Sequence, residues 1–169
     1  MFEVRVERES DIEAVHRVNV LAFGREDEAR IVDRMRERGV KLISLVVVLD
    51  EQVVGHALFS PVDVVGETAV SPSIALGPVA VLPDFQKQGI GGFLIRAGLD
   101  ACREAGHGAL FVLGHPSYYP RFGFHPAKPH GISCEFSVPD DVFMVVELIP
   151  DTLTNLQGTV TYQPEFRES

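Results

Sequence analysis

The sequence predicts an α/β (α+β) domain: a mixed, mostly antiparallel sheet with helices on both faces. Two observations carry that expectation. Three apolar runs, Leu42 to Leu49, Gln52 to Val64 and Thr68 to Leu82, follow one another through short turns, as an antiparallel meander does. A strand–loop–helix–strand run then ends on Ala109 to Leu113, and a strand joined to the next through a helix returns parallel to it by a right-handed crossover. With 169 residues and 46% hydrophobic side chains, the chain has the material for one core.

The elements follow from local patterns. Residues Phe2 to Arg8 alternate apolar and charged side chains, as a half-buried strand does and a signal peptide does not. Ser10-Asp11-Ile12-Glu13 reads as a capping box, with Ser10 as N-cap and Glu13 at the third helical position. The helix behind it turns Ile12, Val15, Val18 and Ala22 inward and ends at about Phe23, before Gly24. A charged helix from Glu26 to Arg38 turns Ile31, Val32 and Met35 inward and stops at Gly39. Asp50-Glu51 and Gly66-Glu67 supply the meander's two turns. The helix from Gln88 to Ala105 is expected to bury Ile90, Phe93, Leu94, Ala97 and Ala101, with Gly106 as its stop. A short helix over Ser117 to Phe122 ends at Gly123, and strands near Phe124, over Ile132 to Phe136 and over Val142 to Ile149 complete the sheet. One domain is expected over residues 1–150, with 151–169 as an extension packed on it through the apolar stretch Thr159 to Tyr162.

Charge and composition remove several function classes. A formal charge of −9 argues against a nucleic-acid partner and mildly favours a cationic or neutral substrate such as an amine. The longest apolar runs are strand-length, so no membrane span or membrane partner is expected. The two cysteines, Cys102 and Cys134, form no C-x-x-C, and a reduced Cys102 inside a helix implies a reducing, cytoplasmic setting. His107, His115, His125 and His130 lie close in sequence without H-E-x-x-H spacing, so they read as scattered loop histidines and no metal is expected.

The segment that carries chemistry runs from Pro78 to Gly98. A strand enters a short loop, then Gln86-x-x-Gly89-x-Gly91, then an amphipathic helix. Glycines where a loop becomes a helix leave backbone N–H groups uncrowded, and with the helix dipole they form a phosphate site. A Walker A run is absent from the sequence. A dinucleotide fingerprint counted from Gly89 meets Leu94 where glycine or alanine is needed, and the strand Ala109 to Leu113 runs into Gly114 and His115 without a ribose-binding acid. By itself the motif supports either a phosphate site or glycines that merely start a helix.

Its setting resembles motif A of the Gcn5-related N-acetyltransferases (GNAT), where Q/R-x-x-G-x-G/A binds the pyrophosphate of acetyl-CoA. Val79-Ala80-Val81 and Pro83 precede it as that family's fourth strand usually reads, and Tyr119-Pro120-Arg121-Phe122-Gly123-Phe124 resembles the family's Y-x-x-x-G-F element. Gly55 to Pro61, Pro116 to Phe124, Phe143 to Leu148 and Gly158 to Pro164 extend the likeness to a YhbS-like subgroup over nearly the whole chain. The resemblance implies the acyl-CoA N-acyltransferase fold, with a central parallel strand pair that splays apart.

It also implies acetyl-CoA as co-substrate, no metal, and direct transfer to a primary amine of a small molecule or of a protein or peptide. The main chain of Val79, Ala80 and Val81 would hold the pantetheine arm, and a backbone N–H near Val79 would polarise the thioester carbonyl. Gln86, Lys87, Gln88, Gly89, Ile90, Gly91 and Gly92 would line the pyrophosphate site, with Lys87 either a point charge on the phosphates or a solvated side chain. Tyr119, in the tyrosine position of Y-x-x-x-G-F, would be the general acid, and Tyr118 points elsewhere because successive helical positions diverge by about 100°. No acid lies between Glu67 and Asp84, so the strand-four glutamate of many relatives is missing. His56, His115 and Glu67, or a chain of waters, remain as the base; His115 directly follows the fifth strand, where relatives often carry an acid, and a histidine ordinarily titrates near neutrality. Asn19, Phe23 and Arg25 are the candidate acceptor contacts, and a homodimer through the C-terminal strands or tail fits the same picture. The competing readings are a non-catalytic acyl-CoA-binding regulatory module and an unrelated nucleotide-binding protein.

Overall fold

The computed structural model describes residues 2–66 and 72–167. Nine strands are found among them: β1 (Phe2–Val6), β2 (Ile43–Leu49), β3 (Gln52–Val65), β4 (Ser73–Val81), β5 (Ala109–Leu113), β6 (His125–Pro126), β7 (Ile132–Cys134), β8 (Phe143–Glu147) and β9 (Gly158–Thr161). The α-helices are α1 (Ile12–Phe23), α2 (Asp27–Glu37) and α3 (Ile90–Glu104). The strand order is β1-β2-β3-β4-β5-β8-β6, with β9 pairing β3 and β7. The chain divides into two compact units, Met1–Phe59 with Gly77–Gly98 and Pro164–Ser169, and Ser60–Leu76 with Leu99–Gln163. β3, β4 and α3 each run from one unit into the other. No helix among the described residues is long and apolar enough to cross a membrane.

The first unit is built on the antiparallel ladder β1-β2-β3, in register from Phe2↔Leu49 to Ile43↔Phe59 with one irregularity at Val47/Val48. Asp50 and Glu51 both have positive φ (49° and 67°), the geometry of the tight hairpin turn expected there. Leu45 to Val47 and Val53 to Phe59 are buried without alternation, as in strands covered on both faces. Val15 and Val18 of α1 and Ala29, Val32 and Met35 of α2 are buried among the core residues. The turn at Gly66-Glu67 and the start of the strand at Thr68 lie in part outside the described residues, and β4 is described from Ser73.

The capping box is not formed as expected. Residues Glu9–Asp11 make a 3-10 turn, α1 starts after Asp11 with no side-chain cap, and the Asp11 carboxylate reaches back to accept the Arg8 N–H at 2.7 Å. Arg5 of β1 draws Asp11 into that position with two hydrogen bonds of 2.6 and 3.1 Å, and a charge-assisted fork outweighs a neutral hydroxyl cap. α1 ends at Gly24, whose left-handed φ of 68° favours glycine over residues with a Cβ.

The buried stripe of α3 is also rotated from the expected one. Ile90, Leu94, Ile95, Gly98 and Cys102 are buried, whereas Phe93 is 52% exposed. The cause is Phe59: a Cβ on Gly98 would lie 2.0 Å from Phe59 Cζ, so the helix presents a glycine to that ring. Nearby, a Cβ on Gly55 would meet Ile90 Cγ2 at 3.0 Å and Leu94 Cδ1 at 3.2 Å.

In the second unit, Ser73 to Leu76 of β4 pair in parallel with Ala109 to Val112 of β5, as the helical crossover requires. β8 is antiparallel to β5 and to the short β6. The C-terminal strand β9 runs antiparallel to Asp63–Val65 and parallel to β7, a second parallel pair that the sequence reading lacked. The expected helix over Ser117 to Phe122 is a 3-10 turn, Tyr119–Phe122, because Pro120 lacks an N–H and Gly123 (φ 96°) closes the segment after one turn.

Candidate functional site

The loop between β4 and α3 leaves the helix start open. Phe93 N–H donates to Gly89 O (3.1 Å), which makes Gly89 the N-cap and leaves the N–H groups of Ile90, Gly91 and Gly92 as the unpaired first-turn donors. Lys87 and Gly89 both have positive φ, 64° and 84°; the reversal they make turns the chain into the helix. The first turn of α3 carries no acidic residue, so nothing on the helix competes for these donors. Gln86, Lys87, Gln88 and Gly89 are exposed, Gly91 is half-buried, and Ile90 and Gly92 are buried. Gln86 is not free to swing outward: its Nε2 donates to Val81 O at 3.0 Å, tying the loop back to the end of β4. Gln88 does the same to Asp84 O at 3.4 Å.

Upstream of this loop, the β4–β5 ladder ends at Leu76↔Val112. The next residues are Gly77 and Pro78, and Pro78 has no N–H to offer a neighbouring strand. Val79, Ala80 and Val81 follow, with the Ala80 side chain buried and the two valines half-buried. Leu82 N–H returns to Val54 O at 2.9 Å, so β4 is anchored to β3 beyond this stretch.

Tyr119 and His115 lie in the second unit. Tyr119 packs edge-on against Phe124 (5.6 Å between centroids) and against Tyr118 (5.2 Å). Burial, reinforced by Tyr118, pushes its phenol up to about 12, so it keeps its proton at neutral pH. Tyr118 is otherwise engaged, with the Arg121 guanidinium 4.5 Å above its ring. The His115 side chain is exposed, and its carbonyl accepts the N–H groups of Tyr118 (3.1 Å) and Tyr119 (3.3 Å). Gly114 was missed by the sequence reading: a Cβ there would lie 2.1 Å from Tyr119 Cε2, so only glycine lets the ring take this place. The available signal was a glycine at the end of a strand, next to the loop that carries the tyrosine.

The remaining candidates separate by exposure. Asn19 is completely buried, its Nδ2 donating to Val15 O (2.9 Å) and to His56 Nδ1 (3.0 Å). Phe23, at the end of α1, is 38% exposed, and Arg25 is exposed and forked onto Glu28 at 2.9 and 2.5 Å. His56 is buried with both ring nitrogens bonded, so no approaching amine reaches it. Glu67 lies outside the described residues.

The family model for the acetyltransferase (GNAT) domain matches residues 3–127. The chain belongs to the GNAT acetyltransferase family. It is 35% identical over 164 residues to the uncharacterized N-acetyltransferase YhbS of Escherichia coli K12, covering 96% of this chain and 97% of that one. It is likewise 35% identical over 143 residues to the uncharacterized N-acetyltransferase YjhQ of the same strain, covering 83% of this chain and 79% of that one. Among solved structures, the E. coli GNAT protein YhbS in complex with CoA superposes with a TM-score of 0.92 at 35% identity, covering 98% of this chain and 92% of that chain. A GNAT acetyltransferase from Brucella melitensis in complex with acetyl-CoA gives 0.79 at 36% identity, with 98% of both chains covered. The mixed sheet with its parallel β4–β5 pair and three helices is the fold of this family.

Proposed function

We propose that this GNAT protein transfers the acetyl group of acetyl-CoA directly to a primary amine of a small molecule or of a protein or peptide. The observation that carries the reading is the start of α3: three adjacent backbone N–H groups at Ile90, Gly91 and Gly92, capped by Gly89, with no acid in the first turn. Two relatives of similar sequence hold CoA or acetyl-CoA, which supports the same ligand here. Gln86 to Gly92 would take the pyrophosphate, and Lys87 would add a positive charge beside it. The main chain of Val79, Ala80 and Val81, just past the end of the β4–β5 ladder, would align the pantetheine arm, and the Val79 N–H would polarise the carbonyl.

Acetyl-CoA supplies an activated thioester when bound. This chain's residues then have two proton tasks. Tyr119 would hold a proton on its hydroxyl and give it to the departing sulfur, a role its raised pKa suits because the phenol is protonated throughout the physiological range. The amine must lose a proton before it attacks. With His56 enclosed, water or the exposed His115 would accept it. Phe23 and Arg25 are the exposed acceptor-side candidates, whereas Asn19 would act from inside the core through His56.

Thermal-shift titrations with acetyl-CoA, CoA, ATP and NAD test the ligand. A ligand at about 100 times its dissociation constant stabilises by roughly 2.7 kcal/mol, and the shift is expected with the CoA species only. Turnover with an amine panel tests Tyr119: Tyr119→Phe is expected to lose roughly 100-fold or more in kcat while keeping the acetyl-CoA shift. Equal rates in both proteins would remove Tyr119 from the mechanism, and binding without turnover in the wild type would favour the regulatory module.

A further inference from the structure

Arg121 is held in place within the turn that carries Tyr119, and no acid holds it there. Its Nε donates to Tyr118 O at 2.9 Å, and its guanidinium carbon stands 4.5 Å over the centre of the Tyr118 ring. That platform is itself fixed. Tyr118 N–H donates to His115 O at 3.1 Å, and its ring packs edge-on against the buried Phe122 at 5.3 Å. Pro120 and Gly123 (φ 96°) set the backbone of the turn. The side chain is exposed, and its two Nη groups meet no carboxylate among the described residues. The local sequence agrees with this. The chain has 24 acidic residues, yet none lies from Ala105 to Cys134, a stretch that holds Arg121, Lys128 and four of the six histidines. Lys128 is held by Asp140 at 2.7 Å, which leaves Arg121 as the cation of this stretch without an acid partner among the described residues.

We propose that Arg121 is an anion-binding residue of the active site. Its two Nη groups form a fork for paired anionic oxygens, either a carboxylate on the acceptor or the ribose phosphate of CoA. The inference rests on the acyl-CoA reading above, which defines both ligands. A planar guanidinium meets two oxygens at once, as an ammonium cannot. Ordering a long, flexible side chain costs rotamer entropy; here the stack on Tyr118 and the Nε bond impose that order before any ligand arrives. The absence of acids from Ala105 to Cys134 removes local carboxylates that would compete for the fork or repel an anion, in a chain whose formal charge is −9. Tyr119 and Arg121 share one 3-10 turn, Tyr119–Phe122, so a single rigid segment fixes the anion relative to the phenol assigned to the departing sulfur.

Calorimetric titration of the full-length protein with CoA and with dephospho-CoA, which lacks the ribose phosphate, tests the co-substrate as the source of the anion. The acceptor as source is read from KM for lysine against cadaverine, its decarboxylated counterpart, at saturating acetyl-CoA. In the wild type, one of the two pairs is expected to favour its anion-bearing member by about tenfold or more. Arg121→Gln is expected to abolish that preference by weakening the anion-bearing member alone. A loss confined to CoA assigns the phosphate and a loss confined to lysine assigns the carboxylate; either supports the fork. Arg121→Lys keeps the charge without the planar donor pair and is expected to recover only part of the loss. Full recovery would overturn two-point recognition. A wild type indifferent within both pairs overturns the proposal without any variant, and so does Arg121→Gln acting equally on both members of each pair. A wild type that binds neither CoA species overturns the acyl-CoA reading itself, a failure distinct from equal binding of the two.

Discussion

His56 sits in β3 with no accessible surface, between Asn19 of α1 and Ser44 of β2. Asn19 Nδ2 donates to His56 Nδ1 at 3.0 Å, so the ring proton belongs on Nε2, which donates to the Ser44 hydroxyl at 2.9 Å; the neutral tautomer is assigned by its partners. Burial, and then the charge of Arg36, pushes its pKa down to about 3. In the unfolded chain the ring titrates near about 6.5, so between these values the unfolded state binds a proton that the native state refuses. The contribution of His56 to stability is therefore complete above about pH 6.5 and falls as pH drops toward the folded value, by up to about 1.4 kcal/mol per pH unit. Urea midpoints measured at about pH 7 and about pH 5 are expected to fall further in the wild type than in His56→Gln. Equal losses in the two proteins would mean that the native core accepts the proton.

At the scale of the element, α3 carries two requirements on one helix. Its first turn must keep its N–H groups open, which Gly89 as N-cap does, and its middle must admit the Phe59 ring, which Gly98 does. Gly98→Ala sets two effects against each other. Alanine gains about 1 kcal/mol of helix propensity over glycine. The added methyl at 2.0 Å from Phe59 Cζ forces a shift in a packed core, which costs about 1–3 kcal/mol and more where the neighbour is a whole ring. Net destabilisation is expected, measured as a lower urea midpoint at unchanged m-value. Phe59→Leu removes the clashing atoms, so the double variant is expected to be more stable than the sum of the single changes predicts. Strict additivity would show that the helix slides away from Phe59 instead of clashing with it.

Over the whole molecule, ion pairs tie chain ends to helices. Glu165, in the 3-10 turn Pro164–Arg167, is buried and accepts two hydrogen bonds of 2.8 Å from Arg38 at the end of α2. That contact holds its carboxyl below the usual range, as Arg5 does for Asp11 near the N-terminus. A depressed carboxylate pKa stabilises the fold at any pH above the unfolded value and loses that effect as pH falls through the folded one. Glu165→Gln is expected to cost about 1 kcal/mol at neutral pH, a modest figure because the Arg38 side chain is half exposed to water. It is also expected to flatten the decline in stability below about pH 4 relative to the wild type. A pH profile that is merely shifted, with its acid limb unchanged, would place the titrating group elsewhere.

The features that nearby residues decide were readable from the sequence. The Asp50-Glu51 turn, the helix stop at Gly24, the parallel crossover into β5 and the glycines at the start of α3 all depend on backbone preferences within a few residues. Motif A and the Tyr119 block were legible for the same reason, being contiguous in the chain. What the tertiary structure decided depends on residues far apart in sequence. Arg5 of β1 takes Asp11 and displaces the Ser10 cap; Phe59 of β3 turns α3 so that Gly98, and not Ala97, faces inward; and His56 draws Asn19 into the core. Gly114 clears space for Tyr119, and a pinned turn brings His125 to His130. Charge-assisted bonds and close packing act through space, and a periodicity read along one helix or strand contains no term for a partner on another.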